Sequence, residues 1–89
     1  MNIFVSELLG TFLLVLVVLL SSNPIYIALG FLGAIILSNI SGGHINPVVT
    51  IIKHMQGAIS KSQVYEYMFA QTIGALLAYY IYVKYNKGS

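Results

Sequence analysis

Ile3–Leu20 is a predominantly apolar stretch of eighteen residues in which Glu7 is the one charged side chain. As a helix at ~1.5 Å per residue it measures about 27 Å, close to the ~30 Å hydrocarbon core of a bilayer. Such a segment is covered either by a large protein core or by lipid. The chain has 89 residues, which limits a soluble core. Only 7% of them are charged, whereas an average soluble domain is roughly a quarter charged. Hydrophobic residues make up 58% and mean hydropathy is +0.90. A surface so poor in charge suits lipid, and the chain reads as an all-α membrane protein. A cleaved signal peptide is the weaker reading of the first run. Met1–Ser6 has no Lys or Arg, and Glu7 interrupts the apolar stretch.

Two further runs follow, over about 25–40 and 63–83, giving three expected spans with 3–20. Ser21-Ser22-Asn23-Pro24 makes a short turn, with Pro24 suited to the first turn of the next helix. In the third run Tyr65, Tyr67, Tyr79, Tyr80, Tyr82 and Tyr85 cluster towards the two ends. There they are expected to form aromatic belts at the membrane surfaces. Ala70, Gly74 and Ala78 recur every four residues, as do Gly30, Ala34 and Ser38. Small residues at that spacing let helix backbones approach closely in lipid.

Residues 41–57 lie between the second and third spans. Asn46 is a suitable N-cap, Pro47 suits the first helical position and Gly57 can end the helix. From Pro47 to Gln56 is about 15 Å of helix, half a bilayer. An apolar helix of that length is either a core helix or a re-entrant segment. The irregular Ser41-Gly42-Gly43 before it is tolerated at membrane depth only inside protein or along an aqueous cavity.

The polar residues inside the apolar runs need partners. Glu7 is expected either to be buried on the free N–H groups of the Ser41–His44 loop, or to lie near the headgroups, or to carry protons. Gln71, likewise inside a span, is expected to be structural. Asn46 is either an ordinary cap on a surface helix or a donor at the membrane centre, beside the partial positive charge of a helix N-terminus. His44 and His54 lack a third ligand nearby, so no metal site and no cofactor are expected. Cysteine is absent, which excludes disulfides and thiolate ligands. The cations are Lys53, Lys61, Lys84 and Lys87, with formal net charge +2, too sparse for nucleic acid. No nucleophile–base–orienter set appears, so an enzyme is not expected.

Ser41-Gly42-Gly43-His44-Ile45-Asn46-Pro47-Val48-Val49-Thr50 resembles the first pore loop of the aquaporin and glycerol-facilitator (major intrinsic protein) family, SGxHxNPAVT. Ser6-Glu7-Leu8-Leu9-Gly10-Thr11-Phe12-Leu13-Leu14-Val15 resembles its first helix, AExxGTFxLV, and Ala70-Gln71-Thr72-Ile73-Gly74-Ala75 its third, AQxxGA. The resemblance runs from Ile3 to about Val83 and implies a passive channel for water, glycerol or other small neutral solutes. Family members have two inverted halves, and this sequence matches one. It departs at Val48, where the family has Ala. The Arg that follows the Asn by three residues in the family's second loop has Val49 at the matching position, and the chain contains no Arg.

The resemblance implies a half-channel of three spans and one re-entrant half-helix over 1–89, paired as an inverted dimer around one pore. Asn46, Pro47, Val48 and Val49 would line it, Gly42, Gly43 and His44 would offer carbonyls, and Tyr26 (Leu29 if the link is shortened) would form a mouth. Family assembly implies four such pairs. Two lysines on either side of the membrane, Lys53 and Lys61 against Lys84 and Lys87, are nearly balanced, as insertion in both orientations requires. Two alternatives remain open here. One is a half-channel that needs a different partner chain; the other is a nonconducting membrane interaction protein.

Overall fold

A computed structural model of the chain describes residues 2–86. Helix α1 spans Ile3–Leu20, α2 Pro24–Leu37, α3 Pro47–Met55 and α4 Lys61–Asn86. A short 3-10 turn, Asn39–Ser41, follows α2. Lys87, counted above in the charge balance, lies outside the described residues.

Local chemistry sets each helix start. Asn2 Oδ1 accepts from Val5 N at 2.8 Å to cap α1. Asn23 Oδ1 accepts from Ile25 N at 2.8 Å, with Pro24 at the first position of α2. Ser60 and Gln63 cap α4 reciprocally. Gln63 N donates to Ser60 Oγ at 3.2 Å and Ser60 N to Gln63 Oε1 at 2.8 Å.

Helix α2 ends at Leu37, earlier than the apolar run to residue 40 predicts. The Ser38 hydroxyl donates back to Ala34 O at 2.6 Å, and the chain leaves the helix through the 3-10 turn. Gly42 (φ 92°), Gly43 (φ 65°) and Ile45 (φ 45°) then take left-handed backbone. Two glycines adopt this region without steric cost, and the turn back towards α3 is built on them.

Helix α1 is central, with α2 and α4 against it, while α3 rests on α4. The interior is more polar than apolar. Its largest fully buried side chains are Glu7, Thr50, Ser6 and Ser38. Large apolar side chains face outward along every helix, among them Leu20, Ile36, Val48, Phe69 and Leu76. In water that surface would drive aggregation; in lipid it is solvated, and packing through small and polar residues is the usual solution.

Among the described residues, α1 is the one helix long and apolar enough, by length and composition, to cross a membrane. Helix α2 is apolar but has 14 residues, about 21 Å. Helix α4 has 26 residues but is diluted by Lys61, Gln63, Glu66 and its tyrosines.

Tyr67 corrects the aromatic-belt expectation. It is 4% exposed, whereas Tyr65, Tyr79, Tyr80 and Tyr85 are more than half exposed. Its position four residues before Gln71 and seven before Gly74 puts it on the buried face of α4, the row that meets α1.

Candidate functional site

Glu7 is the centre of the interior. It is fully buried, and its carboxylate accepts four hydrogen bonds. Oε2 accepts from Ser41 Oγ at 2.5 Å and from His44 N at 3.1 Å. Oε1 accepts from Ile45 N at 2.7 Å and from Gln71 Nε2 at 3.0 Å. Glu7 lies inside the chain, where it holds one main-chain N–H of the Ser41–His44 loop, that of His44, and the Ile45 N–H just beyond it. One side chain of α1 thus ties together the loop and α4. Ser6 Oγ adds a contact to Ser41 Oγ at 2.9 Å.

A second set of bonds holds α3. Gln71 Nε2 also donates to Thr50 Oγ1 at 3.0 Å, and Thr50 Oγ1 lies 3.0 Å from His44 Nδ1. The His44 ring stacks on Tyr67 with centroids 4.0 Å apart and planes 10° from parallel. The Tyr67 hydroxyl donates to Ser41 O. His44 is therefore a buried brace between loop, α3 and α4. His54 sits at the other end of α3, where Nδ1 lies 3.0 Å from Ile59 O. Tyr67→Phe removes one donor while keeping the ring stack. It is expected to cost about 1 kcal/mol, read as a lowered unfolding midpoint in detergent.

This scaffold presents residues outward. Gly42, Asn46, Pro47, Val48 and Val49 are exposed, and Gly43 is half-buried. Asn46 caps α3, its Oδ1 accepting from Val48 N at 2.8 Å. Its side-chain nitrogen makes no hydrogen bond among the described residues. The tip of α3 therefore carries a fixed carbonyl and a free N–H pair. Tyr26 stands apart. It is exposed in the first turn of α2, and eleven residues of helix separate it from Leu37, about 17 Å. Leu29, one turn further along, is also exposed. Beside the α3 tip is an open cavity of about 380 Å³, walled by the middles of α1 and α4.

The sequence reading missed Thr50, Tyr67 and Ser6. Thr50 falls one turn after Asn46, and Ser6 adjoins Glu7, so helical spacing from the two conspicuous polar residues was the signal available.

The sequence pattern of the family described as Major intrinsic protein matches residues 1–88. The chain belongs to the major intrinsic protein family. It is 38% identical over 88 residues to glycerol uptake facilitator protein-like 6 of Lactiplantibacillus plantarum, covering 88% of this chain and 41% of that protein. It is 36% identical over 90 residues to aquaporin Z of Photorhabdus laumondii, covering 82% of this chain and 38% of that protein. With the glycerol uptake facilitator protein of Buchnera aphidicola it shares 41% identity over 49 residues, 51% of this chain and 19% of that protein. The chain thus spans about two fifths of the length of the first of these curated relatives. No solved structure matches. Major intrinsic proteins are membrane channels and not enzymes, and the all-helical, lipid-suited chain is a helical membrane protein of that family.

Proposed function

We propose that the chain is one half of a passive channel for water and small neutral solutes, glycerol among them, completed by a second copy inserted the opposite way. Helices α1, α2 and α4 are the three spans, with α2 lengthened by its 3-10 turn, and α3 is the re-entrant half-helix. The observation that carries this reading is the Asn46 side-chain nitrogen, without a hydrogen bond among the described residues, at the tip of a nine-residue helix. That helix is about 14 Å long, so it reaches only the membrane centre. A through-pore then needs another from the opposite side, which an inverted pair supplies. Val48 and Val49 make apolar wall, Gly42, Gly43 and His44 offer carbonyls, and Tyr26 stands at the far mouth. Solutes pass by exchanging hydrogen bonds between those carbonyls and Asn46. The near-balanced lysines support insertion in both orientations. Four such pairs per complex are proposed by family likeness.

The test is osmotic shrinkage of liposomes containing the purified chain, with empty liposomes and Asn46→Asp as controls. Asp is as good an N-cap as Asn, so the fold is retained. The substitution replaces the N–H donor and places negative charge at a helix N-terminus. Fast shrinkage with low activation energy is expected for the native chain, with slower water flow and a new cation leak for Asn46→Asp. Shrinkage no faster than in empty liposomes, despite confirmed insertion, would overturn the self-sufficient pore. A different partner chain or a nonconducting role would then stand.

A further inference from the structure

The apolar belt of this chain ends at the same two levels on α1 and on α4. The two helices run side by side in the same direction. Gln71 bonds Glu7 at 3.0 Å, the Phe69 ring lies 6.2 Å from the Phe4 ring, and Gly74 sits against Leu8 and Phe12. Each α4 residue is therefore level with the α1 residue about 64 positions earlier. On that register Glu66 is level with Asn2, the N-cap of α1, and Lys84 with Leu20, beside the C-cap Ser21. The polar edges of the two helices are flush at both ends.

The belt between those edges is short. Helix α1 has 18 residues between its caps, about 27 Å. Between Glu66 and Lys84, α4 carries no charged residue, and residues 67–83 measure about 26 Å. Polar side chains inside the belt do not alter its edges. Ser6, Glu7, Thr11 and Gln71 are buried, and the Thr72 hydroxyl donates to Met68 O at 2.8 Å. Tyr65 and Tyr80 are exposed on α4. They stand about 23 Å apart along the helix, and exposed tyrosines settle where acyl chains meet headgroups. On α2 the apolar run is shorter still. Ser38 lies against Gly10, near the middle of α1, and the exposed Asn39 follows it. Residues 25–37 measure about 20 Å.

A belt shorter than its bilayer thins the lipid around it or draws polar groups into hydrocarbon, and either is costly. Tilt cannot help here. Helices α1 and α4 are locked in register, so tilting lowers both edges together. Of the four edge residues, Lys84 alone has a side chain long enough to reach further out. At the end of α1 the boundary is main chain. The carbonyls of Val18, Leu19 and Leu20 accept no hydrogen bond among the described residues, and such groups must meet water or headgroups. We infer that the outer surface of this chain is fitted to a thin bilayer, with a hydrocarbon layer of about 26 Å, and that its lipid partners carry acyl chains shorter than oleoyl. The inference rests on the reading of α1 and α4 as spans and is independent of how copies pair.

The chain has no tryptophan, so Leu77→Trp places a single reporter at an exposed position on α4. The full chain is reconstituted in a series of monounsaturated phosphatidylcholines, from myristoleoyl through palmitoleoyl and oleoyl to erucoyl. Each is mixed with brominated oleoyl lipid, and quenching of the reporter gives the relative binding of each chain length. Oleoyl chains give the ordinary core of roughly 30 Å. Palmitoleoyl chains, a pair of methylenes shorter in each leaflet, give the thinner one this belt fits. Binding is expected to peak at palmitoleoyl and to fall roughly threefold by erucoyl. Phe69→Trp, an aromatic exchange at another exposed position, supplies the same reading if Leu77→Trp does not fold. A peak at oleoyl or longer chains, or equal binding of all of them, overturns the thin belt and leaves the spans standing. If brominated lipid quenches neither reporter in vesicles that hold the chain, α4 does not face lipid and both fall.

Discussion

Glu7→Gln is expected to destabilise the chain by about 2–3 kcal/mol and to expose one particular backbone amide. The wild-type carboxylate offers two oxygens, each with two donors aimed at it. Glutamine keeps the shape but turns one oxygen into an NH2 group, so two donors must face a donor. The two orientations are not equally costly. With the new NH2 on the Ile45 side, Ile45 N loses its acceptor and Gln71 Nε2 keeps only Thr50 Oγ1. With the NH2 on the Ser41 side, the Ser41 hydroxyl can turn to Ser38 O, already 2.9 Å away, and accept from the new amide. Only His44 N is then stranded. An unmet buried donor costs about 1–3 kcal/mol, which sets the magnitude. Denaturation in detergent gives the total, and amide hydrogen exchange gives the orientation. His44 N–H is expected to lose protection while Ile45 N–H keeps it. Loss at Ile45 instead would refute the orientation, and a stability change below about 0.5 kcal/mol, the usual scale of a surface substitution, would remove Glu7 from the centre of the fold.

That network marks where sequence reasoning reached and where it stopped. The Asn46–Pro47 step predicts a helix start, and α3 begins there because the cap is local chemistry. Glu7 needed donors, and of the expected Ser41–His44 N–H groups one, His44 N, is among its four, with Ile45 N next to it. The other two are side-chain donors, from Ser41 and Gln71, 34 and 64 residues away, and which side chains meet at that range no local pattern encodes. The end of α2 was misplaced for a related reason. Apolarity continues through Ile40 and does not distinguish a helix from a 3-10 turn; the Ser38 hydroxyl bond decides it. Ile45 at φ 45° had no signal at all. A β-branched residue in that region is strained, and it is held there by burial and by the bond from its own N–H to Glu7. Tyr67 was hidden among seven tyrosines; only its register with Gln71 and Gly74 set it apart.

That register also makes Gly74→Ala the second large effect. On intrinsic helix propensity alone the substitution should stabilise α4 by roughly 1 kcal/mol. The opposite is expected. A Cβ at position 74 would lie 3.2 Å from both the Leu8 carbonyl carbon and Phe12 N, and closer still to the Leu8 oxygen. All three atoms are α1 backbone, so no rotamer change relieves the contact and the helices must move apart. Overpacking of this kind costs about 1–3 kcal/mol, and here it must also offset the propensity gain. Leu8 adjoins Glu7, and Gly74 is one turn from Gln71, so the same displacement stretches the 3.0 Å bond between Gln71 and Glu7. Gly74→Ala and Glu7→Gln should therefore be less than additive when combined, because each loosens a bond the other has already weakened. Gly30→Ala is the control. Its Cβ would meet Val17 side-chain atoms at 2.6–2.8 Å, and a side chain at a half-exposed contact has more room to yield than a backbone. The expected order of unfolding midpoints in detergent is wild type, then Gly30→Ala, then Gly74→Ala. Equal midpoints for the two glycine variants would mean that α1 and α4 can separate freely, and that the polar centre between them does not depend on their close approach.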